Sequence, residues 1–169
     1  MEVKETKSMR VYNLIILDAS GSMQSIYNQA LNGVNETIQT IRMVQEEHPE
    51  LKQYLTLATF NAGDKYLHKI YNATPIDRVH EVTTEDYVTR GCTALYDAMG
   101  EMISALQQTV KHDEAVLVTI ITDGEENASR KWSQIDIRSL NTELRQMGWT
   151  FTYIGANQDV EEVSAWTVN

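Results

Sequence analysis

This chain has almost no cysteine, too little positive charge and no long apolar run, and each shortage removes a class of protein. Cys92 stands alone, so no intramolecular disulfide can form, which suits a reducing compartment without demanding one. Lysine and arginine number 14 against 24 aspartates and glutamates, a formal charge of -10, and the basic residues form no stripe. A phosphate backbone would be repelled, so a nucleic-acid partner is not expected. No apolar stretch approaches membrane-spanning length, and the polar N-terminal tail, residues 1–9, lacks the apolar core of a secretory signal. Membrane insertion is therefore not expected and the chain reads as cytoplasmic. A secreted or surface protein whose leader had been removed would read the same. Internal repeats, low-complexity linkers, a Gly-rich Walker loop and a G-x-G-x-x-G turn are all missing, so nucleotide binding has no motif to rest on. His48, His68, His80 and His112 show no metal-ligand spacing and read as ordinary histidines.

What is present is an alternation of short apolar runs and longer amphipathic ones. At 169 residues the chain fits one domain, 1–169. Val11 to Leu17 is apolar and rich in branched residues, a strand buried on both faces, and it stops at Asp18. From Gln24 to about Glu47, Ile26, Ala30, Val34, Ile38, Ile41 and Val44 recur at helical spacing, and Pro49 ends the run. LTLATF and KYLHKIY flank Asn61-Ala62-Gly63-Asp64, which predicts a hairpin and hence one antiparallel edge strand. A less regular stretch covers 72–90. A second helix opens near Thr93 behind the loop glycine Gly91, with Leu95, Met99, Met102 and Leu106 in phase. AVLVTIIT, residues 115–122, is the most apolar strand candidate and also ends at an aspartate, Asp123. Ser133 to Met147 reads as a third helix, WTFTYI as a last strand, and a short acidic helix follows. Strands alternating with helices imply parallel βαβ units. The predicted fold is α/β, an open, doubly wound, mostly parallel sheet with helices on both faces and one antiparallel edge strand.

Such sheets carry ligand sites beyond the carboxyl ends of their strands. Asp18-Ala19-Ser20-Gly21-Ser22 follows the first strand, placing one carboxylate and two hydroxyls at alternate positions, which face one point if the turn stays extended. Thr93 after Gly91-Cys92 offers a third hydroxyl, and Asp123 a second carboxylate. Oxygen donors of this kind suit Mg²⁺, which takes near-octahedral oxygen coordination at about 2.0–2.1 Å and keeps some waters. Helix capping is the plainer account of Asp18, Ser20 and Ser22, and Ser22 could cap the first helix while also facing a metal. Capping leaves Thr93 and Asp123 unexplained. Both aspartates are expected to lie outside the core. Asp97, inside the second helix, reads as structural, and Trp132, Trp149 and Trp166 as core or half-buried residues ahead of interface anchors.

The segments D-A-S-G-S-M at 18–23, G-C-T-A-L-Y-D at 91–97 and I-T-D-G-E-E at 121–126 together resemble the metal-ion-dependent adhesion site of the von Willebrand factor A family. Three such segments in order at strand ends rarely recur by chance. The resemblance implies a Rossmann-like sheet with the metal at its top, Ser20 and Ser22 as direct ligands, Thr93 direct or through water, and Asp18 and Asp123 through water. It points to the free-standing prokaryotic type, found in stress-response and surface systems. Two departures matter. Many members have glycine where Cys92 stands, and this thiol either packs as a small residue or approaches the metal. The family also commonly continues past the A-N-Q-D segment at 156–159 into further helix or strand. A shortened member would leave an apolar surface exposed near the last strand.

The function implied is adhesion-type protein–protein interaction, not enzymatic: Mg²⁺, or alternatively Mn²⁺ or Ca²⁺, bound by these five residues, and a partner protein supplying an Asp or Glu to it. Glu125 and Glu126 beside the site are either solvated loop charges or reject wrong partners. Two other readings stand. A Mg²⁺-dependent phosphohydrolase could use Asp18 as nucleophile, although Ser20 occupies the position where such enzymes carry a second acid. A structural domain with an unoccupied site is the third.

Overall fold

The computed structural model describes residues 8–124 and 126–155. Five strands, β1 (Met9–Asp18), β2 (Leu51–Phe60), β3 (Leu67–Pro75), β4 (Ala115–Ile121) and β5 (Thr150–Ile154), form one sheet in the order β3-β2-β1-β4-β5. Every neighbouring pair is parallel except β2 and β3, the predicted hairpin. Three helices connect them: α1 (Tyr27–Glu47), α2 (Leu95–Thr109) and α3 (Gln134–Gln146). The fold is therefore the doubly wound α/β sheet that the alternation of patterns predicts.

Each strand face collects its own helices because side chains alternate along a strand. Leu14 and Ile16 of β1 pack with Val118 and Ile120 of β4 beneath α2 and α3, through Met99, Met102, Ile137 and Leu144. Ile15 and Leu17 point the other way, into a cluster with α1 residues Ala30, Val34 and Ile38. The irregular stretch at 72–90 supplies Ile76, Val79, Val82 and Tyr87 to this second cluster, so it is part of the core and not merely a connection.

Element ends differ from expectation where tertiary bonds intervene. The helix predicted from Gln24 begins as a 3-10 turn, Gly21–Ile26, before α1 proper. α3 starts where expected, after Ser133, whose hydroxyl accepts the Asp136 N–H at 3.2 Å while Asp136 accepts the Ser133 N–H at 2.9 Å. On β3 the ladder is irregular: register shifts occur opposite Leu55, Leu57 and Ala58, and Ala73 sits at φ 44 with its N–H donated to the Thr56 hydroxyl at 2.9 Å. The acidic helix expected after β5, the segment 156–159, Glu125 and Trp166 lie outside the described residues.

A glycine inside α2 looks like a defect in a helix, and packing explains it. A methyl group on Gly100 would lie 2.1 Å from Cδ2 of Trp132, whose half-buried indole rests on the helix at that point. Gly100→Ala should thus destabilise the protein by about 1–3 kcal/mol through overpacking, despite the roughly 1 kcal/mol that alanine gains over glycine in a helix. Urea denaturation decides the matter; a more stable variant would mean the indole moves aside freely.

Candidate metal centre

β1 and β4 run in parallel register with Leu17 opposite Ile121, so the next residues, Asp18 and Thr122, leave the sheet side by side. Here the chain has turned from building one side of the sheet to building the other, the crevice where open α/β sheets bind ligands. Asp18 is 0% exposed. One carboxylate oxygen accepts the Ser20 N–H at 2.8 Å and the other accepts the Thr122 hydroxyl at 2.8 Å. Its backbone carbonyl accepts the Tyr87 hydroxyl at 2.6 Å.

Asp18 was expected outside the core, and the structure corrects this. β1 is the central strand, flanked on both edges and covered on both faces, so even its last residue is enclosed. Burial pushes the Asp18 carboxyl up from 3.8 to about 6; hydrogen bonds from Ser20 and Thr122 oppose the rise, and the charge of Asp123 adds to it. A carboxyl raised in the folded state stabilises the fold while protonated. That contribution is full below the ordinary value near 3.8 and is lost as pH rises through about 6. At neutral pH the ionised form therefore carries a penalty of roughly 3 kcal/mol.

Ser20 is buried in extended backbone, φ -72 and ψ 164, and its hydroxyl lies 3.1 Å from that of the exposed Ser22. The turn does not stay extended as supposed. It tightens into a 3-10 helix, closed by the Met23 N–H donating to the Ser20 carbonyl at 3.1 Å, and still brings the two hydroxyls together. Neither serine caps a helix with its side chain, so the capping account fails: no side-chain cap closes the 3-10 turn or α1.

The loop carrying Thr93 is stitched to this turn by backbone bonds, Arg90 N–H to the Ala19 carbonyl at 2.8 Å and Gly21 N–H to the Gly91 carbonyl at 2.9 Å. Gly91 adopts φ 78, which a side chain would strain. Thr93 is 1% exposed. Its N–H donates to the Asn127 side-chain oxygen at 2.9 Å, and its carbonyl accepts the N–H groups of Asn127 and Ala128, each at 3.0 Å. Asp123 follows Thr122 at the end of β4, close enough for its charge to act on Asp18 and Tyr87.

All five predicted residues thus occupy one end of the sheet. Asp18, Ser20 and Ser22 are tied by hydrogen bonds within one turn, Asp123 is coupled to Asp18 by charge, and Thr93 arrives on a loop bonded to Gly21. Cys92 is exposed and does not pack as a small core residue. Glu126 is more than a solvated charge, since its carboxylate accepts the Ser129 N–H at 3.0 Å. Asp97 is structural, as its place in α2 suggested: its carboxylate accepts the N–H groups of Arg130 at 2.8 Å, Lys131 at 2.9 Å and Trp132 at 2.8 Å.

Three supporting residues escaped sequence reasoning. Thr122 could have been found, because parallel register sets the residue before Asp123 beside Asp18. Tyr87 and Asn127 lie in irregular chain with no pattern to mark their long-range bonds.

The donor set fits a hard divalent cation. The five residues Asp18, Asp123, Ser20, Ser22 and Thr93 offer oxygens alone, two carboxylates and three hydroxyls, the donor type that hard cations take. Among the described residues no three His, Cys, Asp or Glu side chains gather as a metal group, so the hydroxyls are essential to any such site. Asp18 is held in no ion pair with a lysine, arginine or histidine among the described residues.

The fold is that of a doubly wound α/β domain with the five candidate residues at its topological switch. Structures of proximal thread matrix protein 1 from the mussel byssus share the fold. One aligns with a TM-score of 0.54 at 16% identity, over 95% of this chain and 41% of that one. Another aligns with a TM-score of 0.52 at 18% identity, over 90% and 37%. The chain therefore spans about two fifths of the length of that protein. No protein-family profile and no curated protein matches the sequence.

Proposed function

We propose that this chain is a protein-binding module of the von Willebrand factor A type, which holds Mg²⁺, or alternatively Mn²⁺ or Ca²⁺, through Asp18, Ser20, Ser22, Thr93 and Asp123. The observation that carries the reading is the buried Asp18 carboxylate, without an ion-pair partner, beneath the paired hydroxyls of Ser20 and Ser22. A hard cation would offset the charge that burial penalises. When bound, it supplies an electropositive point to which an acidic side chain of a partner protein can join by replacing water.

The chain's own residues set that point up. Asp18 fixes the turn by taking the Ser20 N–H, and Thr122 holds the other carboxylate oxygen, so neither oxygen is left to rotate. Ser20 and Ser22 would present neutral oxygens, adding no negative charge to that of Asp18 and Asp123. The Arg90 and Gly21 backbone bonds keep the Thr93 loop against the serine turn. The phosphohydrolase reading is less well supported, because Ser20 offers no acid two residues on from Asp18.

Titration calorimetry tests the reading. One saturable site for Mg²⁺ is expected, lost in Ser20→Ala, and proteins captured from lysate in Mg²⁺ should be released by EDTA. No uptake of Mg²⁺, Mn²⁺ or Ca²⁺ would refute it, and hydrolysis of p-nitrophenyl phosphate would favour the enzyme.

A further inference from the structure

The chain's charge of -10 works against a partner that must present a carboxylate, so attraction has to be local. Next to the Thr93 loop lies a groove of about 560 Å³, running from the β2–β3 hairpin at Asp64 and Lys65 past Ala94 and Ala128 to Arg130 and Lys131. Three cations line it, Lys65, Arg130 and Lys131, against two carboxylates, Asp64 and Asp97. The Asp97 carboxylate is already taken up by its three backbone N–H bonds. None of the three cations is held by an acidic side chain among the described residues, and all three are exposed.

The groove is built, and not a chance meeting of surface lysines. Asp97 fixes the backbone at Arg130, Lys131 and Trp132, and the Trp132 ring is seated on Gly100, so the side chains at 130 and 131 project from a pinned loop. On the opposite wall Lys65 occupies φ 55, a left-handed conformation that lysine adopts at a cost and that glycine or asparagine would take more readily. Backbone strain retained at a charged, exposed position is a pointer to function. The groove also shares its wall with the site: Ala94 donates its N–H to Asn61 at 2.8 Å, and Ala128 donates to the Thr93 carbonyl at 3.0 Å.

We propose that this groove is the second anchor of the partner, taking a further carboxylate from an acidic peptide segment whose first carboxylate occupies the metal site. The inference rests on the metal-dependent reading for the first carboxylate, while Lys65, Arg130 and Lys131 act on their own. Basic side chains flanking the contact draw in and orient an acidic segment that the rest of the surface repels. A nucleic-acid strand would meet the same three cations but also the full negative field around them, so the acidic peptide is the occupant favoured.

The test uses a fluorescein-labelled hexa-aspartate peptide and a matched glycine peptide bearing a single aspartate, followed by anisotropy on the full chain in Mg²⁺ and in EDTA. The combined variant Lys65→Gln, Arg130→Gln, Lys131→Gln should bind hexa-aspartate at least tenfold more weakly than the unaltered protein and lose most of the salt dependence. Binding of the single-aspartate peptide and calorimetric Mg²⁺ uptake should stay unchanged. A control variant, Lys52→Gln, Arg78→Gln, Lys111→Gln, makes the same charge change at exposed positions outside the groove and should bind as the unaltered protein does. Equal loss in the control, undiminished hexa-aspartate binding in the groove variant, or a labelled oligothymidylate binding as tightly as the peptide would each overturn the groove. Loss in the groove variant with no effect of EDTA would uphold the groove and refute the metal.

Discussion

Asp18→Asn is expected to lower Mg²⁺ affinity by roughly 100-fold or more and to flatten the pH dependence of stability in the metal-free protein. The two effects share a cause. Asparagine keeps the shape and an acceptor for the Ser20 N–H but cannot ionise, so it removes both the charge that favours a cation and the penalty of burying it. In the unaltered protein without metal, stability should rise by roughly 2 kcal/mol as pH falls from 7 to 4, because Asp18 takes up its proton near pH 6. Asp136 works in the opposite sense: hydrogen bonds to Ser133 lower its pKa, so its contribution is lost only on further acidification, below the window where Asp18 acts. Metal-free Asp18→Asn should therefore melt no lower than the unaltered protein at pH 7, and the advantage should vanish near pH 4. Melting curves at both pH values, with and without Mg²⁺, decide it. Unchanged Mg²⁺ uptake by the variant, or a flat pH profile of the unaltered protein, would contradict the account of Asp18.

Asp97→Ala is expected to cost about 3–5 kcal/mol of stability, the largest structural effect of any single change considered. The substitution strips the acceptor from three successive backbone N–H groups at a position only 8% exposed. Asp97 also donates its own N–H to the Ser129 hydroxyl at 3.0 Å, so the 126–132 segment is fastened to α2 on both sides of that residue. Because Asn127 in the same segment accepts the Thr93 N–H, loosening it should weaken Mg²⁺ binding too, by roughly tenfold. Asp97→Asn retains one acceptor oxygen and should fall between. Urea denaturation measures the first effect, and amide exchange at Arg130, Lys131 and Trp132 should accelerate in step. A loss below about 1 kcal/mol would show that water replaces the carboxylate easily.

The fold was largely legible in the sequence because its signals are periodic. β1 is a continuous apolar run, as a strand buried on both faces must be, β4 is nearly as apolar although its Leu117 is exposed, and Asn61 to Asp64 marked the one antiparallel pairing among the described residues. The gathering of the five candidate residues at one end of the sheet was legible because each follows a strand end or a loop glycine. Bonds between residues remote in sequence left no such trace. Tyr87 reaches the Asp18 carbonyl across 69 positions, and Asp97 governs a segment more than 30 residues away, neither with a periodic signature. The burial of Asp18 was missed for a related reason: local sequence marks where a strand stops, while enclosure of its last residue depends on the neighbours it acquires.

The irregular β3 has a consequence for behaviour at high concentration. Among the described residues it forms an outer margin of the sheet, and displaced register, the left-handed Ala73 and a terminal proline, Pro75, interrupt its row of outward amides. An incoming extended polypeptide would find too few matching groups in line to nucleate a fibre. In concentrated solutions copies of the chain should accordingly not pair with one another along β3.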